Sequence, residues 1–176
     1  MNVIVVIIAS ILALAFDSSF GGIFTLRSTG SITPQAMPCL IVFIALFAPE
    51  VTALFVVLVL GILVDLSPGH GQLSAGAHLI GPNALGFVIT TLLILKVRNV
   101  VFRRRIMTIS FFTAGAVIVI GAVQAFVLIT RGFMPWNPPA LGGGLGELAK
   151  LFGTAIYTGL LAVPLGWYFL STIGMW

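Results

Sequence analysis

Long stretches of this chain carry no charge at all. None occurs from Val3 to Phe16, from Val51 to Val64, or from Ile106 to Thr130. A soluble domain carries about 25% charged residues because its surface is in water. Here 7% of the 176 residues are charged and 60% are hydrophobic, with a mean hydropathy of +1.23. Eight basic and four acidic side chains are too few to solvate a folded chain of this size. The expectation is one all-α transmembrane domain over residues 1–176, with most of its surface facing lipid.

A helical span needs about 20 apolar residues to cross roughly 30 Å of hydrocarbon. The pattern places spans at Val3 to Phe20, Ala36 to Ala48, Val51 to Leu66, Ala77 to Leu95, Ile106 to Thr130 and Leu151 to Ile173. As one helix, residues 35–66 would measure about 48 Å, too long for one crossing. Pro49-Glu50 at its middle marks a tight, wet connection. Six spans are therefore expected, with five as the alternative. The first apolar run has no Lys or Arg before it and no clean small-residue cleavage site, so it reads as a retained span. Ala140 to Gly146 is too glycine-rich to predict a helix, so the loop 131–148 reads as a flexible or partly re-entrant connection.

The charges orient the bundle. Five of the eight basic residues, Lys96, Arg98, Arg103, Arg104 and Arg105, fall in one short loop, which the positive-inside rule places in the cytoplasm. The loop 67–76 is then external, and with six spans both termini are cytoplasmic. Basic side chains at the membrane surface also favour anionic lipid headgroups, whereas nucleic acid is not an expected partner. Cys39 is the only cysteine, so disulfides within the chain are excluded and a small buried apolar role is expected.

One segment carries most of the information: Gly61-Ile-Leu-Val-Asp65-Leu-Ser67-Pro68-Gly69, with Gly76 opening the next apolar run. A carboxylate at a helix C-terminus faces the negative end of the helix dipole, so Asp65 does not serve its own helix. It is solvated at the interface, or caps the turn through the 67–69 amides, or points into a groove and binds a partner or ion; the last two are compatible. Gly61 marks close helix approach. Pro82 starts or kinks the fourth helix, Asn83 reads as interhelical glue, and Gln124 is expected to bond a neighbouring helix. Asp17 lies on the same side as Asp65, near enough in the topology for the two to be neighbours. His70 and His78 have no metal-ligand spacing. No catalytic, cofactor-binding or metal-ligating set is expected, and no span has a charge at its centre of the kind pumps and voltage sensors use.

Gly61, Asp65, Leu66 and Gly69 match the pattern G-L-x-x-D-L-x-x-G, with Ile62 at its first leucine and Leu63 beside it, and Leu73 and Gly76 supply the leucine and small residues that come next. With Pro34, Pro38, the run Ile41 to Pro49 and the basic stretch ending in Arg103-Arg104-Arg105, residues 30–105 resemble the MreD family of rod shape-determining membrane proteins. That resemblance implies a non-enzymatic component of the bacterial cell-elongation and peptidoglycan-synthesis machinery in the inner membrane. Its implied partners are the bitopic shape protein MreC and the elongation synthase complex, with Gly61, Asp65, Ser67, Pro68, Gly69 and Gly76 as the partner-binding face. The family is similar in fold to the substrate-binding membrane subunits of energy-coupling-factor transporters. The alternative is therefore a vitamin or metal uptake subunit, docking through small residues such as Ala9, Ala13 and Ala15.

Overall fold

The computed structural model describes residues 3–20, 32–67, 81–98, 106–132 and 144–172. They form helices α1 (Val3–Ala15, continued by a π-helical turn, Phe16–Phe20), α2 (Ala36–Phe47), α3 (Glu50–Leu66), α4 (Pro82–Val97), α5 (Ile106–Gly132) and α6 (Gly144–Thr172). There is no strand among the described residues, and the helices pack as a bundle.

Prolines set several of the boundaries. A residue before proline is pushed out of the α region, and the ends of α2 and α3 obey this. Ala48, before Pro49, is extended (φ −86°, ψ 157°) and ends α2; Ser67, before Pro68, is extended (φ −72°, ψ 135°) and ends α3. The break expected at Pro49-Glu50 is thus present, and Glu50 opens α3 where an acid favours the dipole. Pro82 begins α4 rather than kinking it. It takes the first helical position, where its missing N–H costs nothing. Gly81 before it has φ 127°, a conformation that glycine alone adopts freely. Residues 77–80 and the loop 68–76 lie outside the described residues.

The last helix departs from expectation. It opens at Gly144, not Leu151, although glycine costs a helix interior about 1 kcal/mol relative to alanine. Tertiary packing decides helix formation more than propensity does, and α6 runs antiparallel along α5. The contacts pair Leu151 with Gly121, Gly159 with Ala114 and Gly166 with Ile109, and Ser110 Oγ donates to the Gly159 carbonyl at 2.6 Å.

The centre of the bundle is α2. Every residue from Ala36 to Leu46 is buried, enclosed by α1, α3, α4, α5 and α6. Met37, Leu40, Ile41 and Ile44 meet Val57, Leu60, Val64, Phe87 and Ile120 in the main core. The surrounding helices turn large apolar side chains outward instead, among them Ile11, Leu12, Phe55, Phe111, Phe126 and Ile156. One helical stretch, Met107–Val127, is by length and composition apolar enough to cross a membrane; four shorter apolar helices accompany it.

Candidate functional site

The segment singled out in the sequence lies where α3 meets α4. These two helices run antiparallel, and at Gly61 they touch backbone to backbone. A methyl at Gly61 would collide with Ala84 Cα, so the close approach expected there is present. One turn further along α3, Asp65 is wholly buried. It reaches not into its own turn but across to the start of α4.

A helix leaves its first four N–H groups without intrahelical partners. In α4 these belong to Gly81, Pro82, Asn83 and Ala84. Proline has no N–H, and Asp65 accepts all of the others. Its Oδ2 takes Gly81 N at 2.8 Å and Ala84 N at 3.2 Å, and its Oδ1 takes Asn83 N at 3.2 Å. Asn83 Nδ2 adds a fourth bond to Oδ1 at 2.8 Å, and Gln124 Nε2 of α5 donates to Asn83 Oδ1. A buried charge is costly unless paired and hydrogen-bonded. Here the positive end of the α4 dipole and four donors hold it, each such bond worth about 1.5–3 kcal/mol. Ser67 is half-buried and spends its own amide on Val64 O at 3.1 Å. Pro68, Gly69 and Gly76 lie outside the described residues, as do His70 and His78.

Chemically this is a lock. An ionised carboxylate only accepts hydrogen bonds, and the described donors are all groups of its own fold. The chain Asp65–Asn83–Gln124 joins three helices, α3, α4 and α5, giving Asn83 and Gln124 the interhelical roles expected of them.

No family model, curated protein or solved structure matches this chain.

At the far end of α4 lies a second polar cluster. Arg98 is the C-terminal cap of α4. Its Nη1 donates to the carbonyl of Ala48, which α2 leaves open at its end, at 2.8 Å, and its Nη2 pairs with Glu50 Oε1 at 3.1 Å. One guanidinium thus fastens the α2–α3 connection to α4. Of the other basic residues, Lys96 is exposed on α4, and Arg103, Arg104 and Arg105 lie outside the described residues. Among the described residues no group of three His, Cys, Asp or Glu side chains is placed to hold a metal ion.

Sequence reasoning set Asp17 on the same side as Asp65 but gave it no role of its own. Asp17, in the π-helical turn that ends α1, accepts from Ala36 N at 2.6 Å and Met37 N at 3.0 Å. A signal was present: an acid at the end of an apolar run must find donors. Which donors it finds is not a local property of the sequence.

Proposed function

We propose that this chain is a non-enzymatic, multi-pass protein of the bacterial inner membrane, crossing it six times with both termini in the cytoplasm. It acts in the cell-elongation machinery, in the manner of the shape-determining family it resembles, by holding partner membrane proteins. The observation that carries this reading is what Gly61 and Asp65 are used for. The stretch with the family pattern is spent on locking α3 to α4, and the outer faces of those helices carry Phe55, Leu58, Ile62, Leu85 and Leu92. That makes a rigid apolar wall suited to lipid and to neighbouring helices.

The spacing of the polar clusters supports the orientation. The Asp65 and Arg98 clusters stand at opposite ends of the 16-residue α4, about 24 Å apart at 1.5 Å per residue. Arg98 leads into the basic stretch that favours the cytoplasm, so Asp65 belongs to the outer end. The uptake-subunit reading drew on small residues in the first span for docking. Ala13 is buried and Ala9 half-buried, both packed with the core around α2, which leaves only Ala15 of the three exposed and no continuous small-residue docking face among them.

The test is capture from native membranes. The tagged chain should co-purify a bitopic MreC-type protein, and its depletion should round rod-shaped cells. Unchanged rods and no such partner would sink the proposal. Thermal stabilisation by any vitamin or divalent metal in a panel would favour uptake instead.

A further inference from the structure

The N-terminus of α2 is built like that of α4. Its four orphan positions are Gln35, Ala36, Met37 and Pro38. Gln35 N donates to Thr158 Oγ1 of α6 at 3.2 Å. Ala36 N and Met37 N donate to the two carboxylate oxygens of Asp17, and Pro38 has no N–H to satisfy. The accounting closes, as it does for α4, and by similar means: one proline within the first turn and one aspartate from the end of the preceding helix, with Thr158 taking the one donor that Asp17 does not. α1 with α2, and α3 with α4, are two instances of one device. They also touch, because Ser18, next to Asp17, has its hydroxyl 3.3 Å from that of Ser67, two residues past Asp65.

We propose that Asp17 and Asp65 form a coupled double latch at one end of the bundle, with Asp17 holding the first turn of the buried helix α2 closed and the Ser18–Ser67 bond making α2 sense the state of Asp65. The physical basis is local. A buried helix start has no water to fall back on, so removing its acceptor leaves donors unpaired and favours opening of that turn. Opening of one turn need not unfold the rest, since proteins open in local units.

The chain carries its own reporter. Cys39, the single cysteine, lies in the first turn of α2 and is fully buried. Its modification by N-ethylmaleimide in detergent-purified protein therefore reads the opening of that turn. Asp17→Ala should label at least about fivefold faster than the parent, the change in open population that about 1 kcal/mol of lost capping gives. Asp65→Ala should also label faster, by a smaller factor, and that increase should vanish when Ser18→Ala is added to both sides of the comparison. Labelling of Asp17→Ala no faster than the parent overturns the latch. An effect of Asp65→Ala that is equal with and without Ser18 overturns the coupling. If Asp17→Ala does not accumulate, Asp17→Asn keeps one of the two oxygens, and hydrogen exchange at Ala36 and Met37 replaces labelling. Exchange should rise there and not at Ile44 and Leu46. A uniform rise along α2 would mean general loosening and would overturn the proposal.

Discussion

Gly61 and Ala84 share one van der Waals surface, backbone against backbone, with no space between them for a methyl group. Overpacking at such a contact costs about 1–3 kcal/mol because neighbouring backbone must move. Gly61→Ala should lower the thermal midpoint of the detergent-purified protein accordingly. Gly115 supplies the control: it is exposed on α5, and a Cβ there meets nothing within 4 Å. Gly115→Ala should be neutral or stabilising by up to about 1 kcal/mol. Equal melting of the two variants would mean that α3 and α4 do not rely on this approach.

Asp65→Asn removes one of two oxygens that together accept four hydrogen bonds. Two donors then face an amide NH₂, so a loss of at least about 2 kcal/mol is expected by thermal denaturation. Gln124→Leu cuts only the outermost link of the network and should cost about 1 kcal/mol. Asp65→Asn also separates lock from docking site. Reduced amounts of folded Asp65→Asn in the membrane fit a lock. Normal amounts with lost partner capture would assign Asp65 to the interface after all.

At the other end, Arg98 is 13% exposed and its partner Glu50 63%. An exposed ion pair is worth little, whereas the Ala48 carbonyl has only the guanidinium described as a partner across the helix junction. Arg98→Ala should therefore destabilise by about 1 kcal/mol more than Glu50→Ala. The reverse order, measured in the same melts, would make the charge pair the important contact.

Orientation is tested by single cysteines at Ser67 and Asn99 in a Cys39→Ser background. An impermeant maleimide applied to intact cells should label position 67 and spare position 99. The opposite pattern would invert the bundle.

Much of this architecture could be read from local chemistry. The break at Pro49, the end of α3 before Pro68 and the start of α4 at Pro82 follow from steric rules that need no tertiary information. Gly61, Asn83 and Gln124 were legible because a small or polar residue in an apolar run has few uses. Partners were not legible. Asp65 meets amides 16 to 19 positions later, and Asp17 meets α2 at a similar remove; no periodicity encodes either. Nor does the sequence distinguish α2 from its neighbours, since all read as apolar runs. Only packing makes α2 the centre, and no local signal in the glycine-rich stretch announces that α6 opens at Gly144.

The enclosure of α2 has a consequence for how the chain is made. At 12 residues it is about 18 Å long, too short to cross a bilayer unaided, and its surroundings include α4, α5 and α6, all synthesised after it. On the ribosome, α2 therefore leaves the exit tunnel before most of its walls exist. Until α6 emerges, its first turn lacks Thr158, and until α4 emerges, its carbonyl end lacks Arg98. Asp17 alone, already translated, is there to receive it. Nascent chains truncated before α6 should thus be the form most readily recognised by membrane quality-control proteases, and the innermost helix of the finished protein is the last to be fully housed.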